Sequence, residues 1–329
     1  MAQLMRVPAP EHDKDWVHDA VQTAIKLEFA TIPPYLAALW SIKDPAAPAA
    51  RSILEIVLEE MLHMATMCNV LAAIGGTPRL NAPGAVPLYP CALPGGVHPG
   101  LEVGLQGFSR EAVRTFMAIE LPEFRPSAPA ATKNTFQTIG AFYTAIEETL
   151  SRLDPALAPE KQLSGYLGLK KVTKLDDVIQ AIRLIKHQGE GSERSPEDTG
   201  PGDLSHYYRF GEIYHGRRLV KEPVNGNWLY EGPSLPPTDA WPVAAVPLGG
   251  YQRADVSRAT WDLLATFDRE FTSMLDQLNR AWETGSQDSF DEAVSTMSFG
   301  LSDPAVALMK TPIPSGQGNY GPCFRIPMS

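Results

Sequence analysis

The 329-residue chain is predicted to be all-α: a four-helix bundle with long Pro/Gly-rich loops and two additional C-terminal helices. Three observations carry this reading. Apolar residues recur at a spacing of three to four over long stretches. Proline- and glycine-rich runs separate those stretches and punctuate them as helices. Several of the helices place an acid on their apolar stripe, which an ordinary packing helix avoids.

The first helix runs roughly from Asp13 to Ile42. Its Thr31-Ile32-Pro33-Pro34 step should kink it, or end and restart it, because proline donates no amide hydrogen. A second helix extends from about Ala49 to Ile74 and is stopped by Gly75-Gly76 and Pro78. Thr77 to Gly107 is a long Pro/Gly connection, and such a loop inside a compact domain is more often functional than idle. A short helix capped by Ser109 and followed by Pro122 comes next. Helix three covers Thr135 to Leu153, and helix four opens with the amphipathic stretch Leu175 to Lys186 and carries Glu190 before a polar insertion lasting to Asp203. Between Arg217 and Gln252 repeated prolines predict irregular or short hairpin structure, with a turn at Asn225-Gly226-Asn227. Ala254 to Thr284 and Phe290 to Met309 are amphipathic helices expected to pack on the bundle. Residues 1–216 are thus read as the bundle, with loop insertions 77–107 and 191–203, and residues 217–329 as an irregular segment plus two helices of the same structural unit.

Glu60-Met61-Leu62-His63 is the most informative string. Helical spacing from Glu60 reaches Ile53, Ile56, Met64, Met67 and Leu71, so its carboxylate points along the buried stripe. An uncompensated interior carboxylate costs several kcal/mol even after relaxation, and protonation, a cationic partner or a metal removes that cost. Taken alone, Glu-x-x-His is usually a solvated chance pair. The neighbouring Glu59, on a face with Ser52, Glu55 and Thr66, reads as water-facing. Glu28, however, shares a face with Val17, Val21 and Ala24, and Glu147 lies with Phe136, Ile139, Gly140, Tyr143 and Leu150, while its neighbour Glu148 falls with polar residues. Glu120, aligned with Val113, Phe116 and Met117, is a weaker inward candidate.

Dimetal carboxylate bundles take one Glu from each of two helices and a Glu-x-x-His from each of the other two. Glu28, then Glu60 with His63, then Glu147 follow that order, which leaves one Glu and one His to be found. The fourth helix offers three pairings: Glu212 with His215 at the regular spacing, His187 with Glu190 reversed, and Glu190 with His206 across the insertion. Carboxylates with imidazoles suit Fe(II) or Mn(II), and bridging glutamates leave positions open for dioxygen or peroxide; zinc prefers fewer oxygens. Two iron ions are the expected cofactor, with manganese or a mixed Fe/Mn pair the alternative, and the sequence is silent on haem. Tyr143 is expected to hydrogen-bond a carboxylate rather than relay a radical.

The strings Leu27-Glu28-Phe29-Ala30-Thr31-Ile32-Pro33-Pro34-Tyr35, Glu59-Glu60-Met61-Leu62-His63-Met64, Ile74-Gly75-Gly76-Thr77-Pro78, Thr138-Ile139-Gly140-Ala141-Phe142-Tyr143, Gln188-Gly189-Glu190-Gly191 and His206-Tyr207-Tyr208-Arg209-Phe210 resemble one known family. It is the bacterial ferritin-like family typified by iminophenyl-pyruvate dimer synthases, which couple oxidised aromatic amino-acid imines in violacein-type and bisindole pathways. The resemblance continues through Ala293-Val294, Met297 and Gly321-Pro322-Cys323-Phe324. It implies a fourth helix interrupted between its acid and its histidine, hence Glu190 and His206 as the remaining ligands, with Glu212 and His215 as runners-up. It also implies oxidative chemistry on a small, aromatic, amino-acid-derived substrate in secondary metabolism.

A formal charge of -10 and a pI near 5.2, with no basic cluster, speak against nucleic acid or an acidic membrane as partner. No uninterrupted apolar run reaches membrane-spanning length, and the N-terminus lacks the pattern of a signal peptide, so a cytoplasmic protein is expected. Cys68, Cys91 and Cys323 are too scattered for a disulfide framework or a thiolate zinc site. His12, His18 and His98 are expected to be solvated, and Trp16 and Trp40 to lie in the core or an interface. Two rivals use the same features: a ferroxidase or iron-handling protein, which would assemble as a cage, and a non-catalytic helical scaffold. An oligomer is compatible with either reading.

Overall fold

The structure is a computed structural model; it describes residues 7–82, 84–122, 138–190, 195–197, 203–224 and 226–326, Glu190 by its main chain only. Two long helices form the spine: α1 (Lys14–Ser41) and α2 (Pro48–Ala73), packed along their length. Asp13 caps α1 by accepting from the Trp16 amide, and Pro48 occupies the first turn of α2, where a missing amide hydrogen costs nothing. Of the two outcomes expected at Pro33-Pro34, an end and restart does not occur: α1 continues through both prolines. Pro34 leaves the Ala30 carbonyl without its helical donor, and the Tyr89 hydroxyl donates to that carbonyl at 2.8 Å. Tyr89 comes from the 77–107 loop, so part of that loop's work is to satisfy the proline step.

The other two bundle positions are each filled by two shorter helices in tandem. α3 (Arg110–Ile119) and α4 (Ile139–Leu153) pack on α1, while α5 (Leu175–Glu190) and α6 (His206–His215) pack on α2; α3 pairs with α6 and α4 with α5. Ser109 caps α3 through the Ala112 amide, and Thr138 caps α4 through the Ala141 amide. The predicted start of helix three, 135–137, and most of the 191–203 insertion lie outside the described residues. Both third and fourth positions are therefore broken at the same level of the bundle, where the sequence carries Glu120 on one side and the Gln188-to-His206 segment on the other.

α7 (Arg258–Thr284), α8 (Gln287–Ser295) and α9 (Ser302–Met309) close the chain, with a π-helical turn at Thr296–Gly300 between the last two. They pack mainly on one another and on α1, burying Phe267, Phe271, Leu275 and Trp282. Two small antiparallel pairs lie in the connections: β1 (Cys91–Ala92) with β2 (Glu102–Val103), and β3 (Val220–Lys221) with β4 (Trp228–Leu229). The second realises the short hairpin expected there; Asn225 of its turn lies outside the described residues. α2 is long and apolar enough by composition to cross a membrane, but 78% of that stretch is buried within the fold, so packing accounts for its hydrophobicity.

Candidate metal centre

Midway along α1 and α2, at the level of both helix breaks, Glu28, Glu60, Glu120, His63 and His206 converge, each 3% exposed or less. They form two groups that share Glu60: Glu28, Glu60 and His63, and Glu60, Glu120 and His206, with one candidate ligand atom per residue lying within 4.8 Å of the others in each group. Nδ1 of His63 lies 3.5 Å from Glu28 Oε2 and 3.6 Å from Glu60 Oε1. Nδ1 of His206 lies 2.8 Å from Glu60 Oε1 and 3.7 Å from Glu120 Oε2. That nitrogen is buried yet lacks the alignment of a hydrogen bond, so it faces the space between the two carboxylates.

Groups farther out orient this inner shell. His63 Nε2 hydrogen-bonds Gln188 Oε1 at 2.7 Å, and His206 Nε2 hydrogen-bonds Glu59 Oε2 at 2.8 Å. With a hydrogen on each Nε2, it is Nδ1 that faces the carboxylates, and loss of its proton would leave a lone pair there for a metal. The Tyr143 hydroxyl donates to Glu28 Oε1 at 2.5 Å, the Tyr35 hydroxyl to Glu120 Oε1 at 2.6 Å, and the Thr31 hydroxyl to Glu60 Oε2 at 2.9 Å. Arg209 is ion-paired to Glu59 on the outer side.

Charge at the site is tightly coupled. Burial and the neighbouring Glu60 charge push the Glu28 carboxyl up to about 7, against the pull of His63 and Tyr143. Burial also works to raise Glu60, but the close approach and charge of His206 and His63 override it and hold that carboxyl well below its usual range. For His63 burial works downward, and Glu28 and Glu60 more than offset it, raising the imidazole to about 10; burial likewise opposes His206, which Glu120, Glu59 and Glu60 raise well above its ordinary value. In the metal-free chain two imidazolium charges thus offset part of the carboxylate charge that divalent cations would otherwise balance. Three buried carboxylates, two imidazoles aimed by their outer nitrogens and a poorly hydrogen-bonded Nδ1 form an oxygen-rich, nitrogen-poor donor set. That set fits two hard or borderline divalent metals.

The structure places the other predicted residues differently. Glu147 does not join the cluster: it sits at the flank of α4, and Arg183 of α5 donates to it from Nε at 2.8 Å and Nη2 at 2.7 Å. The buried face of α4 is set by Phe142, Tyr143, Ile146, Thr149 and Leu150, which rotates Glu147 to the α5 boundary. Glu120, ranked below it in the sequence, occupies the third-helix place instead. Glu59, expected in water, is half-buried because α6 covers that face of α2, and His206 and Arg209 draw its carboxyl down to about 2 against the upward effect of burial. Glu212 is buried but accepts from the Leu219 amide and Arg218, and His215 is exposed and stacks on Tyr230, so this pair lies apart from the cluster. His187 is exposed. The Glu190 side chain lies outside the described residues, but the α5 main chain reaches the site, since a Cβ at Gly189 would stand 3.3 Å from Glu120 Oε2. His12, expected to be solvated, is buried: it stacks on Trp16 and bonds the Thr149 hydroxyl and the Val7 carbonyl.

The ferritin-like family profile matches residues 21–215, which span α2 to α6 and most of α1. The chain belongs to the ferritin-like family. The ferritin-like protein of Caulobacter vibrioides, known from a crystal structure at 1.95 Å resolution, superposes with a TM-score of 0.65 at 23% identity, covering 93% of this chain and 96% of that one. That likeness extends the shared fold into the C-terminal helices. The chain is also similar to dichlorochromopyrrolate synthase of Lentzea aerocolonigenes, 27% identical in an alignment of 314 residues that covers 84% of this chain and 29% of that protein. It therefore spans less than a third of the length of that curated relative.

Proposed function

We propose that this chain is a dimetal carboxylate oxidase or oxygenase, with two iron ions, acting on a small organic and aromatic, amino-acid-derived substrate. The observation that carries the reading is the pair of buried Glu/His groups sharing Glu60 at the level of both helix breaks. Similarity to a protein named as dichlorochromopyrrolate synthase supports a substrate from secondary metabolism. The long connections and the three C-terminal helices favour an organic substrate over iron storage.

In this reading Glu28 and His63 would hold one metal and Glu120 and His206 the other, with Glu60 common to both groups. Glu190, whose side chain lies outside the described residues, remains the candidate for a further ligand, since the α5 main chain approaches Glu120 at Gly189. When bound, such a metal pair supplies oxidation by dioxygen or peroxide. The protein's own contribution is positional. Gln188 and Glu59 fix the tautomers of the two imidazoles, while Tyr143, Tyr35 and Thr31 hold the three carboxylates in place by hydrogen bonds. Burial keeps bulk water away from the reacting centre.

Anaerobic Fe(II) loading followed by metal quantitation should give about two irons per chain, as the dimetal bundle template requires. Exposure to oxygen should then produce a transient optical change and oxygen uptake in proportion to bound iron. Protein that retains no iron, or takes up no oxygen once loaded, overturns the reading.

A further inference from the structure

A cavity of about 560 Å³ opens between α2, α5 and the chain around residues 168–172, and its lining includes both His63 and Gln188. His63 is 2% exposed, so the cavity reaches the candidate metal centre at its floor. Its body is apolar, formed by Leu62, Leu169, Val172, Ala181, Leu184 and Ile185. At its rim stand Lys170 and Lys171, both exposed and neither in an ion pair with any described residue. Asp177 is the acid in the lining, and its carboxylate already accepts from the Thr173 and Lys174 amides and the Thr173 hydroxyl.

The wall that carries the two lysines is braced from below. Buried Asn69 of α2 donates to the Leu163 and Lys170 carbonyls and accepts from the Leu163 amide and the Trp282 indole, so all four of its hydrogen bonds are made. Buried Gln162 accepts from the Val172 amide and donates to the Val172 carbonyl. Two side-chain amides thus fix the main chain on both sides of Lys170-Lys171, and the cationic rim is preformed. A second cavity, on the Arg209 side, is more polar: Arg209 is engaged by Glu59 and Arg218 by Glu212, and Arg51 shares the lining with the acids Glu55, Glu197 and Asp203.

We infer that the cavity beside His63 is the substrate pocket of the dimetal centre and takes a molecule with an aromatic body and a carboxylate, which Lys170 and Lys171 hold at the rim. This rests on the dimetal reading above. The apolar walls take up the ring, the two ammonium groups meet the anion, and Gln188 at the floor separates the substrate from His63. The carboxylate also sets polarity, since it anchors one end at the mouth and sends the other toward the metals.

The probes are 3-phenylpropanoate and its neutral counterpart 3-phenylpropan-1-ol, titrated by NMR into metal-free and Mn(II)-loaded protein. The carboxylate should bind about tenfold more tightly than the alcohol, the scale expected of two partly exposed charge pairs. Lys170→Gln with Lys171→Gln should remove that difference, Ala181→Trp should abolish binding of both probes, and Arg51→Gln in the second cavity should change neither. Mn(II) loading should broaden the probe signals, and Ala181→Trp should relieve the broadening. No binding of 3-phenylpropanoate, a lysine double variant with the parent's preference, or a probe unbroadened by bound Mn(II) would each overturn the inference. Failure of the dimetal reading shows up separately, as a chain that takes up no Mn(II) while the diamagnetic titration still reports the carboxylate pocket.

Discussion

The two halves of the site use the same ligand types and differ in what stands behind them. On one side the outer nitrogen of His63 rests on a neutral amide, Gln188, which also lines a cavity open to small molecules. On the other, the outer nitrogen of His206 rests on a carboxylate, Glu59, held in turn by Arg209, and His206 is fully buried. A carboxylate behind an imidazole raises its basicity and fixes its orientation more firmly than an amide does. On the proposed dimetal reading, the His206 half would hold its metal more firmly and the His63 half would exchange ligands with the cavity. The difference lies one shell outward from the cluster, in residues that share no motif.

The most damaging break is at the point where the halves join. Glu60→Ala removes the carboxylate common to both groups and leaves two cationic imidazoles without their shared partner. Iron content after anaerobic loading should fall from about two per chain to nearly none, and the metal-free protein should lose about 3–5 kcal/mol in denaturant unfolding. Unchanged iron uptake would show that the cluster is a buried charge network and nothing more.

Next in size is a contrast between Glu120 and Glu147. Glu120→Ala should cost the metal on the His206 side and halve the iron content, because its carboxylate is turned into the cluster and hydrogen-bonded by Tyr35. Glu147→Ala should leave iron content alone and change stability by no more than about 1 kcal/mol, since its contact is an ion pair with a largely exposed Arg183. Equal losses in the two variants, measured by elemental analysis, would return Glu147 to the site.

That contrast marks where the sequence was legible. Glu28 and Glu60 were readable because α1 and α2 are long helices whose stripes run over many turns, so a single acid on the stripe stands out. Glu147 misled because α4 is only 15 residues long, and a short helix does not define its buried face to within one position. Glu120 follows the last turn of a still shorter helix, and its alignment with Val113 and Phe116 was the signal available. Glu59 faces outward on its own helix; only the arrival of α6, distant in sequence, turns that face inward. The cavity wall could not be read at all, because Asn69 and Gln162 brace it through bonds to main-chain groups that carry no side-chain pattern.

Replacing the two outer anchors separates the halves directly. Glu59→Gln keeps the shape but removes the charge behind His206 and leaves Arg209 facing a neutral amide; Gln188→Leu removes the hydrogen bond behind His63. Substitutions at such positions cost about 10–100-fold in metal affinity, and the charged anchor should fall at the upper end of that range. Competition against a chelator of known affinity reads both values. A larger loss for Gln188→Leu would reverse the proposed roles of the two halves.

The smallest effect separates the halves by acidity. Imidazole must be neutral at Nδ1 to hold a metal, and His63, raised to about 10, is protonated at neutral pH, as is His206. Each metal therefore displaces a proton, and on the His63 side the affinity should rise about tenfold per pH unit from neutral toward the folded value of about 10. Glu28 adds a second proton on the His63 side alone, because its carboxyl titrates near 7, whereas the Glu60 carboxyl stays ionised. Below that pH the His63-side metal competes with two protons and the His206-side metal with one. Dialysis of loaded protein at a series of falling pH values should show a step at about one metal per chain before the second is lost. Calorimetry in two buffers of different ionisation heat should register release of roughly two protons per loaded chain at pH 8, and more below 7. Simultaneous loss of both metals at one pH would mean that Glu28 does not distinguish the two positions.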